Sequence, residues 1–339
     1  MSETDSEWDV FLAACPLSHH EQSSQYAANR KAYGYHCDRV VVRENGDIVG
    51  GVQVLVQSTP VGRFAHIQRG PLALDDNPLL MRRVVDKLEE LVRERSYASV
   101  RVDLFPNQAV AAQALKEAGF RPSKAWGRAG DSVIVPLTLS DDELMGKMDK
   151  KVSYNIRRSR RKGLSVQAED EKSMDAFYGL HQETASYQDF PVFSAEYFSY
   201  VQELFGRAGK AQLFVAWHNE KPCAAIYNTI VGDHMYYGWG GMRRDPEAKT
   251  LRANYLLHMT AMAWAREHGC RLYDFVGNQP FKRWFAIEVI SWPLPLRKFY
   301  GPAQILRWKL LEGTDSSPLL RRLINKASRK FGIAQTMPW

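Results

Sequence analysis

The sequence has few cysteines, and their spacing matches neither a metal site nor a disulfide framework. Four cysteines are spread over 339 residues, and no two of them form a CxxC pair. Small secreted domains that depend on disulfides carry many cysteines at short spacings. We therefore expect buried thiols in a reducing compartment, at Cys15, Cys37, Cys223 and Cys270.

The sequence also lacks a segment that would direct it into a membrane. Its first residues, MSETDSEWDV, are polar and acidic, unlike a secretory signal. No apolar run approaches the roughly 18 residues that a membrane-spanning helix needs. These two features predict a cytoplasmic protein.

Local signatures of covalent and metal-dependent catalysis are missing as well. We find no Ser-His-Asp or Cys-His grouping with a family signature, which disfavours a covalent enzyme intermediate. The nine histidines form no HExxH motif, and the run His19-His20-Glu21 is too compact to be interpreted as a metal site. We therefore predict no metal and no bound cofactor.

The chain is long, apolar and basic. Its 45% hydrophobic content is sufficient for one large or two medium domains. The 45 basic residues outnumber the 38 acidic residues, which gives a net charge of +7. Such a charge favours an anionic partner without identifying it.

Two halves of the chain have the same predicted order of elements: a β-hairpin, a further strand, a long helix and a buried strand. In the first half the hairpin turns at Asn45-Gly46, the helix is residues 79–95, and the buried strand is ASVRVDLF. In the second half the helix is residues 251–268, and the buried strand is RLYDFVG. This self-similarity predicts two copies of one supersecondary unit in an α/β fold.

The two buried strands each carry an aspartate near the carboxyl end, and a lysine follows. A gapped alignment of the halves places Asp103 opposite Asp274, and Lys116 opposite Lys282. In open α/β sheets, ligands bind in the crevice outside the carboxyl ends of the strands. Lys282, just beyond the second strand, is therefore a candidate functional residue.

A basic segment separates the two halves. Ser140 and Glu143 form a predicted capping box, and eight basic residues follow between Lys147 and Lys162. This segment is either a solvated helix face or a surface that follows a phosphate backbone by charge. The candidate phosphate-binding residues are Lys150, Lys151, Arg157, Arg158, Arg160 and Arg161.

We place the first domain at residues 1–139 with 300–339, and the second at 140–299. The strand Val133–Leu139 is predicted to finish the first unit. Residues 303–331 are basic and amphipathic, which is typical of a helix docked on the first unit or of a surface that rests on anionic lipid. The second alternative would place the protein peripherally at the inner face of the membrane.

These motifs together resemble the FemABX family, bacterial transferases that add amino acids from aminoacyl-tRNA to peptidoglycan precursors. The resemblance covers nearly the whole chain and depends on motif order. It implies two tandem GNAT-like domains, and no long heptad segment corresponds to the coiled-coil insertion of some members. The matching pieces are QSSQY with the following RK, AHIQRGPLAL, VRVD, KKVSYNIRRSRRKGL, MYYGWGG, LRANYLL, AWAREHG, LYDFVG and PFKRWFA.

The resemblance also implies roles for individual residues. Lys282 is expected to assist catalysis near the reacting ester, and Asp103 to position the acceptor or remove its proton. Either Arg30 or Lys31 would lie by the acceptor's phosphates. The remaining substrate-binding candidates are Tyr197, Tyr237, Asp274 and Phe281.

Two positions depart from the family pattern. Phe193 stands about one turn before Tyr197, where members that bind the nucleotide-linked precursor have an arginine. Ala286 stands where a glycine is common, and the loop before Phe281 is short. The first departure leaves open whether the acceptor is nucleotide-linked, lipid-linked or another peptide.

The predicted reaction is direct attack of a peptide-stem amine on the aminoacyl ester. One alternative is an N-acyltransferase that uses acyl-CoA, as GNAT-like units usually do. The loops IQRGPLALDDNP and WGGMRRDPEAKTL lack the Gln/Arg-x-x-Gly-x-Gly/Ala pattern that holds a pyrophosphate, which disfavours CoA. A second alternative is a non-catalytic protein that binds RNA or an anionic surface through the basic segment.

Overall fold

The computed structural model describes residues 3–60, 62–123 and 130–301. These residues form two compact units. The first unit holds the described residues before Gly130 together with the segment that begins at Trp292, and the second unit is Gly130–Ser291. The predicted amphipathic segment 303–331, and its docking on the first unit, lie outside the described residues.

Both units contain helices and strands. The helices are α1 (Glu3–Ala14), α2 (Ser24–Lys31), α3 (Pro78–Arg95), α4 (Ala109–Glu117), α5 (Asp141–Lys147), α6 (Lys150–Arg161), α7 (Met174–Gln188), α8 (Ala195–Val201), α9 (Pro246–Leu251) and α10 (Ala253–Glu267). The strands are β1 (His36–Glu44), β2 (Asp47–Thr59), β3 (Gly62–Gln68), β4 (Leu72–Ala73), β5 (Tyr97–Asp103), β6 (Arg121–Pro122), β7 (Asp131–Pro136), β8 (Ser165–Glu169), β9 (Ala211–His218), β10 (Lys221–Val231), β11 (His234–Met242), β12 (Leu272–Asp274), β13 (Glu288–Ser291) and β14 (Leu296–Phe299).

Each unit is built on one mixed sheet, and the two separate sheets have corresponding strand orders. The first sheet has the order β1-β2-β3-β5-β14-β6, with β4 paired to β2, and the second has the order β13-β7-β12-β11-β10-β9-β8. In the first sheet three antiparallel strands end in the parallel pair β3–β5. In the second sheet the same arrangement ends in the parallel pair β11–β12. The predicted duplication into two GNAT-like units is therefore confirmed.

One strand in each sheet comes from a distant part of the chain. β7 pairs with both β12 and β13 in the second sheet, and β14 pairs with both β5 and β6 in the first. The prediction that Val133–Leu139 finishes the first unit is therefore wrong. The strand was placed by sequence order, whereas Val133 and Val135 are fully buried in the core of the second unit.

The core of each unit lies between its sheet and its long helices. On α3, Leu80, Val84, Leu88 and Val92 recur at helical spacing and pack against the first sheet. In the second unit, α10 packs on the sheet and α6 packs on α10, and their buried side chains belong to one larger apolar cluster. No helix within the described residues is long and apolar enough to cross a membrane.

Local capping explains where several of these helices begin. Asn77 accepts hydrogen bonds from the first amides of α3, and Pro78 occupies the position where its missing N–H costs nothing. Ser140 and Glu143 form the predicted capping box at the start of α5. Asp149 caps α6, which explains why the basic segment starts a new helix there.

Candidate functional site

In the second unit the parallel pairing of β11 and β12 ends part-way along β11, which leaves an opening at the strand end where the sequence pattern predicts a crevice. The last paired residues are Tyr236 and Asp274, whereas β11 continues to Met242. The chain after β12 therefore leaves the sheet beside a strand that extends further. We call this opening the β11–β12 crevice.

Lys282 is buried at this crevice. Only 6% of the residue is exposed, and its ammonium donates to the Phe275 carbonyl oxygen at 2.6 Å and to that of Val276 at 3.5 Å. The Nζ atom also lies 5.1 Å from the centre of the Tyr237 ring and 5.9 Å from that of Phe281. The carbonyl dipoles and the faces of the two rings thus stabilise the ammonium of Lys282. Lys282, Tyr237 and Phe281, three of the predicted site residues, lie together here.

Asp274 stabilises the start of the loop that connects β12 to Lys282. Its carboxylate accepts hydrogen bonds from the Ser132 hydroxyl and from the Val276 amide, the latter at 2.6 Å. Ser132 in turn accepts a hydrogen bond from the Gly277 amide at 2.8 Å. Val276 has φ 49° and Gly277 has φ 138°, so the chain turns sharply at this point. The observed contacts of Asp274 are with the protein, and its substrate contact stays a prediction.

A buried polar chain lies beside Lys282, and the sequence did not predict it. His258 Nδ1 lies 2.8 Å from the Tyr273 hydroxyl, which also receives the Asn228 amide at 3.3 Å. Burial, and then the charge of Lys282, lower the pKa of His258 to about 3. Burial raises the pKa of Tyr237 to about 12. Both rings are therefore neutral near physiological pH.

Tyr197 lies in an aromatic cluster of the second unit. It is fully buried, and its ring stacks on that of Phe193 with 4.4 Å between centroids. Trp239 on β11 is 6.4 Å away, edge to face. Phe193, which stands at the position of the family arginine, therefore packs against the predicted substrate-binding tyrosine.

Asp103 ends the corresponding parallel pair of the first unit. Its Oδ2 contacts His66 Nε2, and its Oδ1 receives Arg101 Nη2 at 2.9 Å and Nε at 3.2 Å. Burial by itself would raise the pKa of Asp103, but His66 and Arg101 together lower it to about 2. The carboxylate is therefore ionised at any physiological pH.

A second polar cluster continues from this strand end. Glu21 binds Arg69 at 2.9 Å and accepts a hydrogen bond from Gln68 at 3.1 Å. Burial opposes ionisation of Glu21, but Arg69 and His19 hold its pKa well below the usual range. The possible ligand atoms of His19, His20 and Glu21 lie within 4.8 Å of one another, although Arg69 already neutralises the carboxylate.

Arg30 and Lys31 have different surroundings. Arg30 is buried, and its guanidinium lies 4.7 Å from the Tyr35 ring centre and 5.1 Å from that of Tyr33. Its Nε has no hydrogen-bond partner within the described part of the chain. Lys31 is exposed at the end of α2. Which of the two lies by the acceptor's phosphates stays a prediction.

The basic segment forms one face of α6. Val152, Asn155, Ile156 and Ser159 are buried on the opposite side, and Ser159 donates to the Leu251 carbonyl oxygen at 2.7 Å. None of the candidate phosphate-binding residues forms an ion pair with any carboxylate that the structure describes. The exposed ones are Lys150, Lys151, Arg157, Arg160 and Arg161, and Arg158 is half-buried.

Side chains occupy the starts of α3 and α9, whereas the start of α10, the long helix of the second unit, has no side-chain cap. Asn77 takes the first amides of α3, and Asp245 takes the Ala248 amide of α9 at 3.0 Å. Asp245 is also paired with Arg243 at 2.7 Å. A carboxylate at this helix start repels a phosphate, in agreement with the argument from the loop sequences.

Comparison with known proteins gives matches in both units. Residues 4–125 match the FemAB family, and residues 150–283 match an acetyltransferase (GNAT) domain. The lipid II:glycine glycyltransferase of Staphylococcus epidermidis is 24% identical over a gapped alignment of 357 residues. The alignment covers 83% of this chain and 85% of that protein. The Staphylococcus aureus protein with the same name is 22% identical over 364 residues, with coverages of 83% and 86%.

A solved structure shares the fold of the whole described chain. The crystal structure of FemX superposes with a TM-score of 0.69 at 18% sequence identity, and covers 92% of this chain and 99% of its own. This likeness extends over both units. It agrees with the order of elements derived above.

Proposed function

Because the chain belongs to the FemABX family of acyltransferases, we propose that it transfers an amino acid from aminoacyl-tRNA to a peptide-stem amine of a peptidoglycan precursor. The relatives named lipid II:glycine glycyltransferase favour a lipid-linked acceptor and glycine as the transferred residue. The observation that carries the chemistry is the buried ammonium of Lys282 at the β11–β12 crevice.

Lys282 would stabilise negative charge as the ester reacts. Attack by an amine places charge on the carbonyl oxygen and then on the departing ribose oxygen. A preorganised cation in a water-poor site stabilises such charge more strongly than a solvated one does. The carbonyl oxygens of Phe275 and Val276 fix the ammonium in advance, so little reorganisation is needed.

The donor is proposed to bind through the α6 basic face, which we define as Lys150, Lys151, Arg157, Arg160 and Arg161. These side chains are exposed and have no carboxylate partners within the described residues. Phosphate contacts of this kind supply affinity without sequence readout. The role fits a transferase that must accept the acceptor stem of a charged tRNA.

Acyl-CoA remains the second candidate donor because residues 150–283 match an acetyltransferase (GNAT) domain. The side chains of Asn77 and Asp245 at the starts of α3 and α9 oppose it, and the loop before α10 lacks the pyrophosphate-binding pattern. We therefore rank aminoacyl-tRNA first.

The experiment offers the purified protein lipid II or a UDP-linked muramyl pentapeptide, with either a charged tRNA pool or acetyl-CoA. Mass spectrometry of the acceptor identifies the group that is added. We expect a gain of one amino-acid residue on lipid II that is abolished by RNase. A gain of an acetyl group would instead establish the CoA alternative.

Lys282→Ala tests the residue that carries the proposal. We expect kcat to fall by about 10²–10³, the usual cost of losing one group that stabilises an oxyanion. Lys298→Ala is the matched control, since Lys298 also donates to a carbonyl oxygen, that of Ala118 at 2.7 Å, but belongs to the first unit. Equal losses in both variants would contradict a catalytic role for Lys282.

A further inference from the structure

An imidazole–carboxylate pair lies at the end of the parallel strands of the first unit. His66 on β3 faces Arg101 on β5 in the register, and Gln68 faces Asp103. His66 Nε2 contacts Asp103 Oδ2, and the side chains are 12% and 19% exposed. Among the described residues, His66 Nδ1 makes no hydrogen bond.

The family resemblance implies that Asp103 either positions the acceptor or removes its proton, and the observed pair bears on the second of these roles. Because Asp103 is held ionised by His66 and Arg101, with a pKa near 2, it accepts a proton poorly at neutral pH. It is well suited to hold an imidazole in one orientation, as the carboxylate does in catalytic triads. Imidazole is the side chain whose usual titration range spans physiological pH.

We propose that His66 is the general base that removes a proton from the acceptor amine, with Asp103 as the residue that orients it. The inference rests on the proposed aminoacyl transfer and adds a residue that the sequence did not predict. Asp103 fixes Nε2 as the ring nitrogen that carries hydrogen, which leaves the lone pair on Nδ1.

The proton and electron balance of the step is complete with the two substrates. The neutral amine nitrogen attacks the ester carbonyl carbon and forms the C–N bond, while His66 Nδ1 takes one N–H proton. The C–O bond to the ribose then breaks, and the ribose oxygen takes the proton from the imidazolium. The products are the amide and the free ribose hydroxyl, and His66 returns to its neutral form.

Several charged groups surround the pair and shape its pH dependence. Asp103 and Arg101 lie on β5, and Arg297 on β14 is paired in register with Arg101. Arg30 on α2 and Arg101 both act on the Tyr35 hydroxyl. The pair thus has Asp103 and Arg101 in direct contact, and Arg297 on the neighbouring strand.

The test measures kcat/KM for aminoacyl transfer between pH 5 and 9 in the full-length protein. For His66→Gln, which keeps a donor for Asp103 but cannot titrate, we expect a fall of about 10²–10⁴ and an altered acid limb that reflects the acceptor amine alone. For Asp103→Asn we expect kcat to fall with little change in KM, since the carboxylate that orients the imidazole is gone. Added imidazole should restore part of the activity of His66→Ala.

His36→Gln is the matched control. His36 Nε2 also faces a carboxylate, Asp38 Oδ1 at 3.2 Å, but its side chain is 70% exposed on β1. We expect wild-type kinetics from this variant.

The outcomes separate this inference from the proposed function. An inactive wild type would refute the proposed function itself. An active wild type with an unchanged acid limb in His66→Gln, whatever the rate, would refute His66 as the base.

Discussion

The candidate site residues have ionisation states fixed by burial and by their neighbours. Lys282 is held by main-chain carbonyl oxygens beside neutral rings, whereas Asp103 is held ionised by a histidine and an arginine. A buried charge persists only where such partners offset the loss of hydration. Lys282 is therefore suited to stabilise developing negative charge, and Asp103 to hold the imidazole of His66 in one orientation.

His258 makes the second unit sensitive to acid. The pKa of His258 is about 3 in the fold against 6.5 for an unperturbed histidine, so the unfolded chain takes up a proton that the folded chain does not. Its contribution to stability is present above pH 6.5 and is lost as the pH falls towards 3. The free energy of unfolding should fall by about 1.4 kcal/mol for each pH unit in this window.

Denaturant unfolding at pH 7 and pH 4.5 tests this prediction. His258→Gln should be less stable than wild type at pH 7, because it loses the bond to Tyr273, and should lose about 2–3 kcal/mol less on acidification. His268→Gln, at an exposed site, is the control and should follow wild type. Equal acid sensitivity of all three proteins would show that His258 titrates normally in the fold.

At the residue scale, the sequence identified side chains that lie next to a recognisable pattern. Lys282 and Asp103 follow buried strands, and both lie where the pattern predicts a crevice. His258, Tyr273 and His66 were not predicted, because their partners are distant in sequence and meet only in the folded sheet. A histidine inside a helix or strand pattern gives no sign of its partner.

At the scale of single elements, α6 combines a structural face with a charged face. Its buried side packs in the core of the second unit, while the basic side chains have no carboxylate partners in the described residues. The alternative of a merely solvated face predicts no effect of these charges on binding. The alternative of phosphate binding predicts a dependence on salt.

Changing Arg157, Arg160 and Arg161 to Gln distinguishes these alternatives. Affinity for tRNA should fall, and the slope of log K against log salt should shrink by about 2, because each phosphate contact contributes roughly 0.7–0.9. Binding is measured by titration at several salt concentrations. Stability should change little, since all three side chains are exposed.

The control for this triple variant removes the same charge from α3. Arg82, Arg83 and Arg93 are exposed, and the first two are already paired with Asp86 and Glu44. Their change to Gln should leave the salt slope unaltered. The same loss in both triple variants would indicate a general effect of net charge rather than a binding face.

At the scale of the whole molecule, the two units share a topology but do not follow the chain in two simple blocks. β7 follows the first unit in sequence and lies between β12 and β13, and β14 follows the second unit and lies between β5 and β6. Each sheet thus contains a strand that the predicted domain boundaries assign to the other unit. The segment Gly130–Ser291 contains every strand of the second sheet.

Two fragments test where the second unit begins. Residues 130–291 should unfold cooperatively, because the fragment keeps its own core and all its strands. Residues 140–299 lack β7, which leaves β12 and β13 without their shared partner. This second fragment should not unfold cooperatively. Thermal unfolding followed by circular dichroism compares them. A cooperative transition in the fragment 140–299 would contradict the assignment of β7 to the second sheet.

The sequence by itself determined the element types, the duplication, the family and the two strand-end residues Asp103 and Lys282. These features follow from local periodicity, turn residues and motif order, which are all written along the chain. The tertiary structure alone decided the sheet to which β7 and β14 belong and the partners of His66, His258 and Lys282. Strand pairing and side-chain contact depend on which distant segments bury their apolar faces together, and that free energy belongs to the packed core rather than to any local stretch.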